Sequence, residues 1–243
     1  MTWTAGPLLG FDTETTGVDV RNDRIVTAAL VRRDAGGTQV RSWLIDPGVD
    51  IPEEAAAIHG ITTEHARTHG ESPGTALDAI ADQLAQALND GVPVVAFNAT
   101  FDLCILDAEL ARHGLSSMAD RLGRDVSPVI DPLVLDRAVD RYRRGKRKLV
   151  DLCGVYGVAD TDNLHTADVD VVATLDVLDA MARRHPDLAE LELTALHAYQ
   201  VAEHRRWAES FNSWRERQGL AGPGAGLTWL REHHQVPQPA SVD

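Results

Sequence analysis

The chain has 243 residues, 44% of them hydrophobic, enough for one large domain, or one domain with an extension, around a buried core. Its formal net charge of −14 excludes general adhesion to nucleic acid or anionic membrane, though a polyanion can still be held by a local basic patch. Cys104 and Cys153 make neither a disulfide framework nor a zinc-ligand spacing and fit a reducing, cytoplasmic setting, and the opening MTWTAGPLLG lacks the n-region and h-region of a signal peptide, so no membrane span is expected.

In chain order, LLGFDTE reads as a buried strand. RIVTAALVRR (24–33) and TQVRSWLID (38–46) are two more, joined by a hairpin-like turn at DAGG. PEEAAAIHG predicts a short helix with Pro52 near its start and Gly60 near its stop. Leu77, Ile80, Leu84 and Leu88 recur at helical spacing before Gly91. VPVVAF (92–97) is a short apolar strand running into a helix marked by Leu103, Leu106 and Leu110. PVI (128–130) is a further strand, followed by the helix DPLVLDRAVDRY. Residues 166–185 are helical, with Val169, Val172, Leu175 and Leu178 on one side. A long helical pattern then runs from about Pro186 to Gly219 and carries Leu196, Tyr199, Trp207, Phe211 and Trp214. GPGAG (222–226) reads as a flexible break before a weakly ordered tail. A hairpin followed by strand–helix alternation predicts an α/β fold, a mixed sheet with helices on both faces. The expected division is a domain over 1–185, a long helix over 186–221 packing on or beside it, and a tail over 222–243.

Asp12 and Glu14 in GFDTETTG stand two apart on a strand and so project to one face. Close carboxylates repel, and one would resist ionisation unless a cation sat between them. Mg²⁺ and Mn²⁺, which prefer hard oxygen ligands, suit that place. A solvated acid pair at a strand edge is the plainer reading of the motif alone. Asp102, in FNATFD, follows the end of an apolar strand, where α/β sheets gather their sites; alone it is equally an acid favoured by a helix dipole. His165 and Asp170, in HTADVD, flank four residues near the start of a helix, a pair that in isolation reads as capping or solvation.

Taken together and in this order, the three segments resemble the DEDDh 3′–5′ exonucleases, the proofreading type akin to the epsilon subunit of DNA polymerase III. FDTETTG, FNATFD and HTADVD resemble that family's three motifs, HGIT (59–62) resembles a segment between the first two, and the likeness covers roughly residues 7 to 184. The resemblance implies a ribonuclease H-like fold with a mixed five-stranded sheet, here with a C-terminal helical extension. It implies two divalent ions, Mg²⁺ or Mn²⁺, held by Asp12, Glu14, Asp102 and Asp170, with Asp12 bridging, and His165 taking the proton from the attacking water. His165 outside such a motif would read as a helix cap or core residue. The pair of ions suits phosphodiester cleavage, in which charge develops on both attacking and leaving oxygens. One departure is Phe97, where the second motif usually has histidine. Asp168 is an extra acid that helical spacing turns away from Asp170.

By the same resemblance, the backbone at Thr15 and Thr16 approaches a 3′-terminal sugar, and His59, Gly60 and Ile61 contact the terminal bases. Asn98 and Phe101 shape the pocket, Phe101 by packing. The expected activity is release of 5′-mononucleotides from 3′ ends of single-stranded nucleic acid, DNA favoured. A short-RNA 3′–5′ exoribonuclease and a catalytically silent, polymerase-docking module are the alternatives. RYRRGKRK (141–148) breaks the acidic trend; its Arg143, Arg144, Lys146 and Arg147 are either a phosphate-gripping track or a solvated connection. The Trp207, Phe211 and Trp214 stripe is expected to pack as core, the alternative being a contact with a polymerase or with a second copy in a homodimer.

Overall fold

The computed structural model describes residues 3–158 and 166–230, so His165 and residues 231–243 lie outside the described residues. After a single 3₁₀ turn at Trp3–Ala5 come three antiparallel strands: β1 (Leu8–Thr15), β2 (Ile25–Asp34) and β3 (Gly37–Leu44). Asp34 pairs with Gly37 across Ala35–Gly36, which makes the DAGG turn a two-residue hairpin. Helices α1 (Glu53–His59), α2 (Thr63–His69) and α3 (Pro73–Asn89) follow; Gly60, at φ 77°, ends the first in the left-handed conformation that favours glycine. Next come β4 (Val94–Val95), α4 (Ala99–Arg112), α5 (Met118–Leu122), β5 (Val129–Ile130), α6 (Pro132–Val139), α7 (Leu149–Tyr156) and α8 (Ala167–Arg184). Helices α9 (Pro186–Ala189) and α10 (Leu193–Arg217) close the series.

The five strands form one mixed sheet in the order β3-β2-β1-β4-β5, with β1, β4 and β5 parallel. Alternation along β1 sends Leu9 and Phe11 to one face, where they pack with Leu77, Ile80 and Leu84 of α3 and Leu103, Leu106 and Leu110 of α4. Leu8, with Val31, Val95 and Ile130 on neighbouring strands, faces Val171, Leu175 and Leu178 of α8 and Leu152 of α7. Both faces are therefore covered, as the strand–helix alternation required.

Four expectations need correction. The strand at 92–97 shortens to a two-residue ladder because the chain turns away at Asn98, whose φ of 62° ends extended structure. The helical pattern from Pro186 is two helices, since Glu192 is extended (ψ 150°) and starts α10 afresh. The aromatic stripe is not core: Trp207, Phe211 and Trp214 stack on one another, with centroid spacings of 5.4 and 5.8 Å, and Trp214 is 45% exposed. Arg137 of α6 lies 3.8 Å over the Trp207 ring, so the stripe packs partly against a cation. Finally, the segment from Gly222 to Leu230 is not loose. Ala225 N donates to Asn212 Oδ1 (2.7 Å), Asn212 Nδ2 donates to Ala225 O (2.9 Å), and Trp229 is 2% exposed within the α3–α4 side of the core. Helices α2, α5 and α7 are additional to the sequence reading; they have only 7, 5 and 8 residues, too short for a periodic pattern to stand out. No helix among the described residues is long and apolar enough to cross a membrane.

Candidate active site

Asp12 and Glu14 lie on the α8 face of β1, near the strand's carboxyl end. Gly10, on the same face, explains how α8 comes so close. A Cβ there would stand 2.2 Å from Val171 Cγ1 and 3.3 Å from Leu175 Cδ1. Only a residue without a side chain admits the helix at that depth. The residue before Val171 is Asp170, and carboxylate oxygens of Asp12, Glu14 and Asp170 all lie within 4.8 Å of one another. Asp102 arrives from the other side of the sheet. It sits in the first turn of α4 and is 3% exposed, and its Oδ1 accepts from Thr13 N (3.1 Å) and Thr13 Oγ1 (2.8 Å). Thr13, pointing opposite to its acidic neighbours, thus ties α4 to the strand that carries them.

The electrostatics show what this arrangement lacks. Burial, then Asp102, Asp170 and Glu14 in that order, push the Asp12 carboxyl well above the usual carboxylate range. Burial and then Asp170 raise Glu14 to about 7. Burial raises Asp102 to about 7 against the opposing pull of the two Thr13 hydrogen bonds. The charged neighbours that shift Asp12 are all carboxylates, so among the described residues negative charge accumulates around it. Its donors are hard oxygens, and three of them are within reach of a single ion, which fits divalent Mg²⁺ or Mn²⁺.

The family model of the RNase T exonucleases matches residues 9–178. The chain belongs to this exonuclease family. It is 32% identical over 174 residues to the DNA polymerase III PolC-type of Lacticaseibacillus paracasei, covering 71% of this chain and 11% of that protein. It is 34% identical over 166 residues to the PolC-type polymerase of Streptococcus thermophilus, covering 68% and 10%. The chain therefore spans only about a tenth of the length of these relatives. Among solved structures, exonuclease I superposes with a TM-score of 0.65 at 21% identity, over 85% of this chain and 46% of that one. The complex of Escherichia coli exonuclease I with a dT13 oligonucleotide gives 0.63 at 22%, over 75% and 42%. At these identities the likeness is one of fold.

The other residues expected at the site fall into three groups. Around the acids, the Thr16 hydroxyl donates to Asp23 Oδ1 (2.8 Å) and accepts from Arg24 N (3.0 Å), and Thr15 Oγ1 donates to Gly17 O (2.6 Å). Both hydroxyls thus brace the loop after β1. His59 is buried; its Nδ1 accepts from Ile61 N (3.1 Å), and burial lowers its pKa against the opposing pull of the Thr15 backbone. His59 and Ile61 line a groove of about 410 Å³ that also reaches Glu14, Trp43 and Thr166. Gly60 is the helix stop between them.

The second group shapes α4. Phe101 packs half-buried against the α3–α4 core, and Phe97 packs in the α8-side cluster, an apolar side chain where the motif usually has histidine. The backbone N–H groups of Asn98 and Ala99 donate to the two carboxylate oxygens of Asp131, each at 3.0 Å. Asp131, which also caps α6 through Leu133 N (2.9 Å), is read from the sequence only as the start of that helix, and its hold on α4 is additional. Gly10 was missed by the sequence reading, although an isolated glycine inside a strand signals close approach.

The third group is the basic run, where the sequence expectation needs its main correction. Arg143 Nη2 lies 2.7 Å from Asp136 Oδ2, Arg147 pairs with the same oxygen, and Tyr156 OH donates to Asp136 Oδ1 (3.1 Å). Asp136 is fully buried. A buried carboxylate must be compensated, so these two arginines are turned inward and hold the loop on α6. Arg144 and Lys146 remain exposed.

Proposed function

We propose that the chain is a metal-dependent 3′–5′ exonuclease that releases 5′-mononucleotides from 3′ ends of single strands, with DNA preferred. The observation that carries this is the convergence of Asp12, Glu14 and Asp170 within 4.8 Å, with buried Asp102 raising Asp12 further. Asp12, Glu14, Asp102 and Asp170 would hold two Mg²⁺ or Mn²⁺ ions. Such ions, when bound, supply an activated water and charge stabilisation at the leaving oxygen. The chain's own residues do the rest. Thr13 fixes the Asp102 carboxylate, Gly10 sets the depth of α8, and the groove beside His59 and Ile61 receives the terminal nucleotide. His165 takes the proton from the attacking water, its ordinary pKa near 6.5 suiting that task. Of the four cations expected to grip phosphates, Arg144 and Lys146 remain exposed to meet them. The PolC-type relatives support DNA as substrate.

The test is a time course on single-stranded DNA and RNA of one sequence, labelled at the 5′ end, with Mg²⁺, Mn²⁺ or chelator. A ladder shortening from the 3′ end, lost in chelator and blocked by a 3′-phosphate, is expected, faster on DNA. Internal cuts in a circular strand, or undiminished activity in chelator, would overturn the reading.

A further inference from the structure

The family match ends at residue 178, yet α10, beyond it, completes the sheet. Strand β5 is an edge. Its Pro128 and Ile130 carbonyls accept from Val94 N (3.2 Å) and Ala96 N (3.1 Å), so the backbone groups of Val129 and Asp131 face away from β4. Left bare and buried, they would be unsatisfied. Two side chains three apart on α10, His197 and Gln200, meet them. Val129 N donates to His197 Nδ1 (3.1 Å), Gln200 Nε2 donates to Val129 O (3.0 Å), and Asp131 N donates to Gln200 Oε1 (2.7 Å). The Gln200 carboxamide thus presents one donor and one acceptor to the edge, as a peptide group of a sixth strand would. Its Nε2 also donates to Leu196 O (3.2 Å), and the residue is 0% exposed.

What Gln200 grips is the backbone of the residue that holds α4. The Asp131 carboxylate receives Asn98 N and Ala99 N, and Asn98 is a non-glycine residue at φ 62° that needs such support. Asp102 lies three residues after Ala99, and Thr13 joins it to β1. We propose that Gln200 is a positioning residue of the active site: by clamping the Asp131 backbone it sets the carboxylate that orients the first turn of α4, and with it Asp102. This rests on the reading of Asp102 as a metal ligand. The C-terminal helix is then part of the catalytic scaffold, and the matched family segment alone is incomplete.

The experiment compares Gln200→Met with Leu196→Ala in the full chain. The second removes buried apolar contact from the same helix and leaves the clamp intact. Amide exchange at Asn98 and Ala99 is followed by NMR without metal, and kcat, KM and the Mn²⁺ requirement are measured on a single-stranded oligonucleotide. Gln200→Met is expected to speed exchange at those two amides at least tenfold, lower kcat about tenfold with KM within twofold, and raise the Mn²⁺ needed for half-maximal rate. Leu196→Ala should lower Tm with none of these changes. Gln200→Ala, which leaves room for water to satisfy the edge, is the second variant should Gln200→Met not fold, and it should show the same exchange. Equal exchange at Asn98 and Ala99 in the Gln200 and Leu196 variants would overturn the proposal. If wild-type protein showed no nuclease activity, the catalytic reading would fall while exchange still decided whether Gln200 holds α4.

Discussion

The two ends of the α4 scaffold treat buried polar groups in opposite ways. At the β5 edge, the outward backbone groups of Val129 and Asp131 and both ends of the Gln200 carboxamide are hydrogen-bonded. At the carboxyl end of β1, Asp12, Glu14 and Asp170 crowd together with buried Asp102 behind them, and burial with neighbouring carboxylates raises the pKa of Asp12, Glu14 and Asp102. The first region is finished by the fold; the second is left for a ligand to finish. Low local dielectric strengthens both, making satisfied bonds rigid and uncompensated charge costly. A functional site is recognisable here by what folding leaves unbalanced.

The sharpest way to break this contrast is Asp12→Asn, expected to lower the rate by more than about a thousandfold, on the order of the loss when a catalytic group is removed. The same change should stabilise the metal-free protein. A carboxylate whose folded pKa is raised binds more protons folded than unfolded between its unfolded pKa, about 4, and its raised folded one. Its stabilising contribution is full below the unfolded pKa and is lost as pH rises through the folded one. Thermal unfolding in chelator should therefore show a higher Tm for Asp12→Asn than for wild type at pH 8, and no such gain at pH 4. A lower Tm at pH 8 would mean that the acids are not in electrostatic conflict.

His165→Ala should cost about 10²–10⁴ in kcat, the range for general acid–base catalysis. Metal affinity by calorimetry should be unchanged; a loss there, with rate recovered at high metal, would make the histidine structural. Gly10→Ala should cost roughly 1–3 kcal/mol of stability as α8 is displaced from β1. It should also weaken Mn²⁺ binding, because Asp170 moves with the helix; stability loss with unchanged binding would uncouple α8 depth from the site.

The smallest effects divide the basic run. Arg143→Gln should destabilise by roughly 1–3 kcal/mol, since it weakens the compensation of buried Asp136. Arg144→Gln and Lys146→Gln should leave Tm unchanged and each flatten the slope of log affinity against log salt by about 0.7 on single-stranded DNA. An unchanged slope would leave these two cations no phosphate contact.

Legibility in the sequence followed the range of the interaction. The acids of β1 were readable because a strand repeats every two residues, and the helices α3, α4 and α8 because their leucines and valines recur at helical spacing. The motif order in FDTETTG, FNATFD and HTADVD singled out the proposed ligand set, and the sheet with β1, β4 and β5 parallel agrees with the fold implied by that order. The short helices α2 and α5 left only capping signals, Thr62 accepting from His65 N and the reciprocal Ser117–Asp120 box.

Residue types and local spacing thus determined which side chains are proposed to carry the chemistry, because strand and helix periods are properties of neighbouring residues. Tertiary structure alone decided how those side chains are held. Six basic residues in RYRRGKRK look alike in one dimension, but buried Asp136 takes Arg143 and Arg147 and leaves Arg141, Arg144, Lys146 and Lys148 to solvent. Gln200 lies 69 residues from the Asp131 amide it accepts, and Trp229 re-enters the core beyond a glycine-rich stretch that reads as loose. The physical reason is that a buried polar group takes whatever partner the fold brings to it, and no local period encodes that meeting.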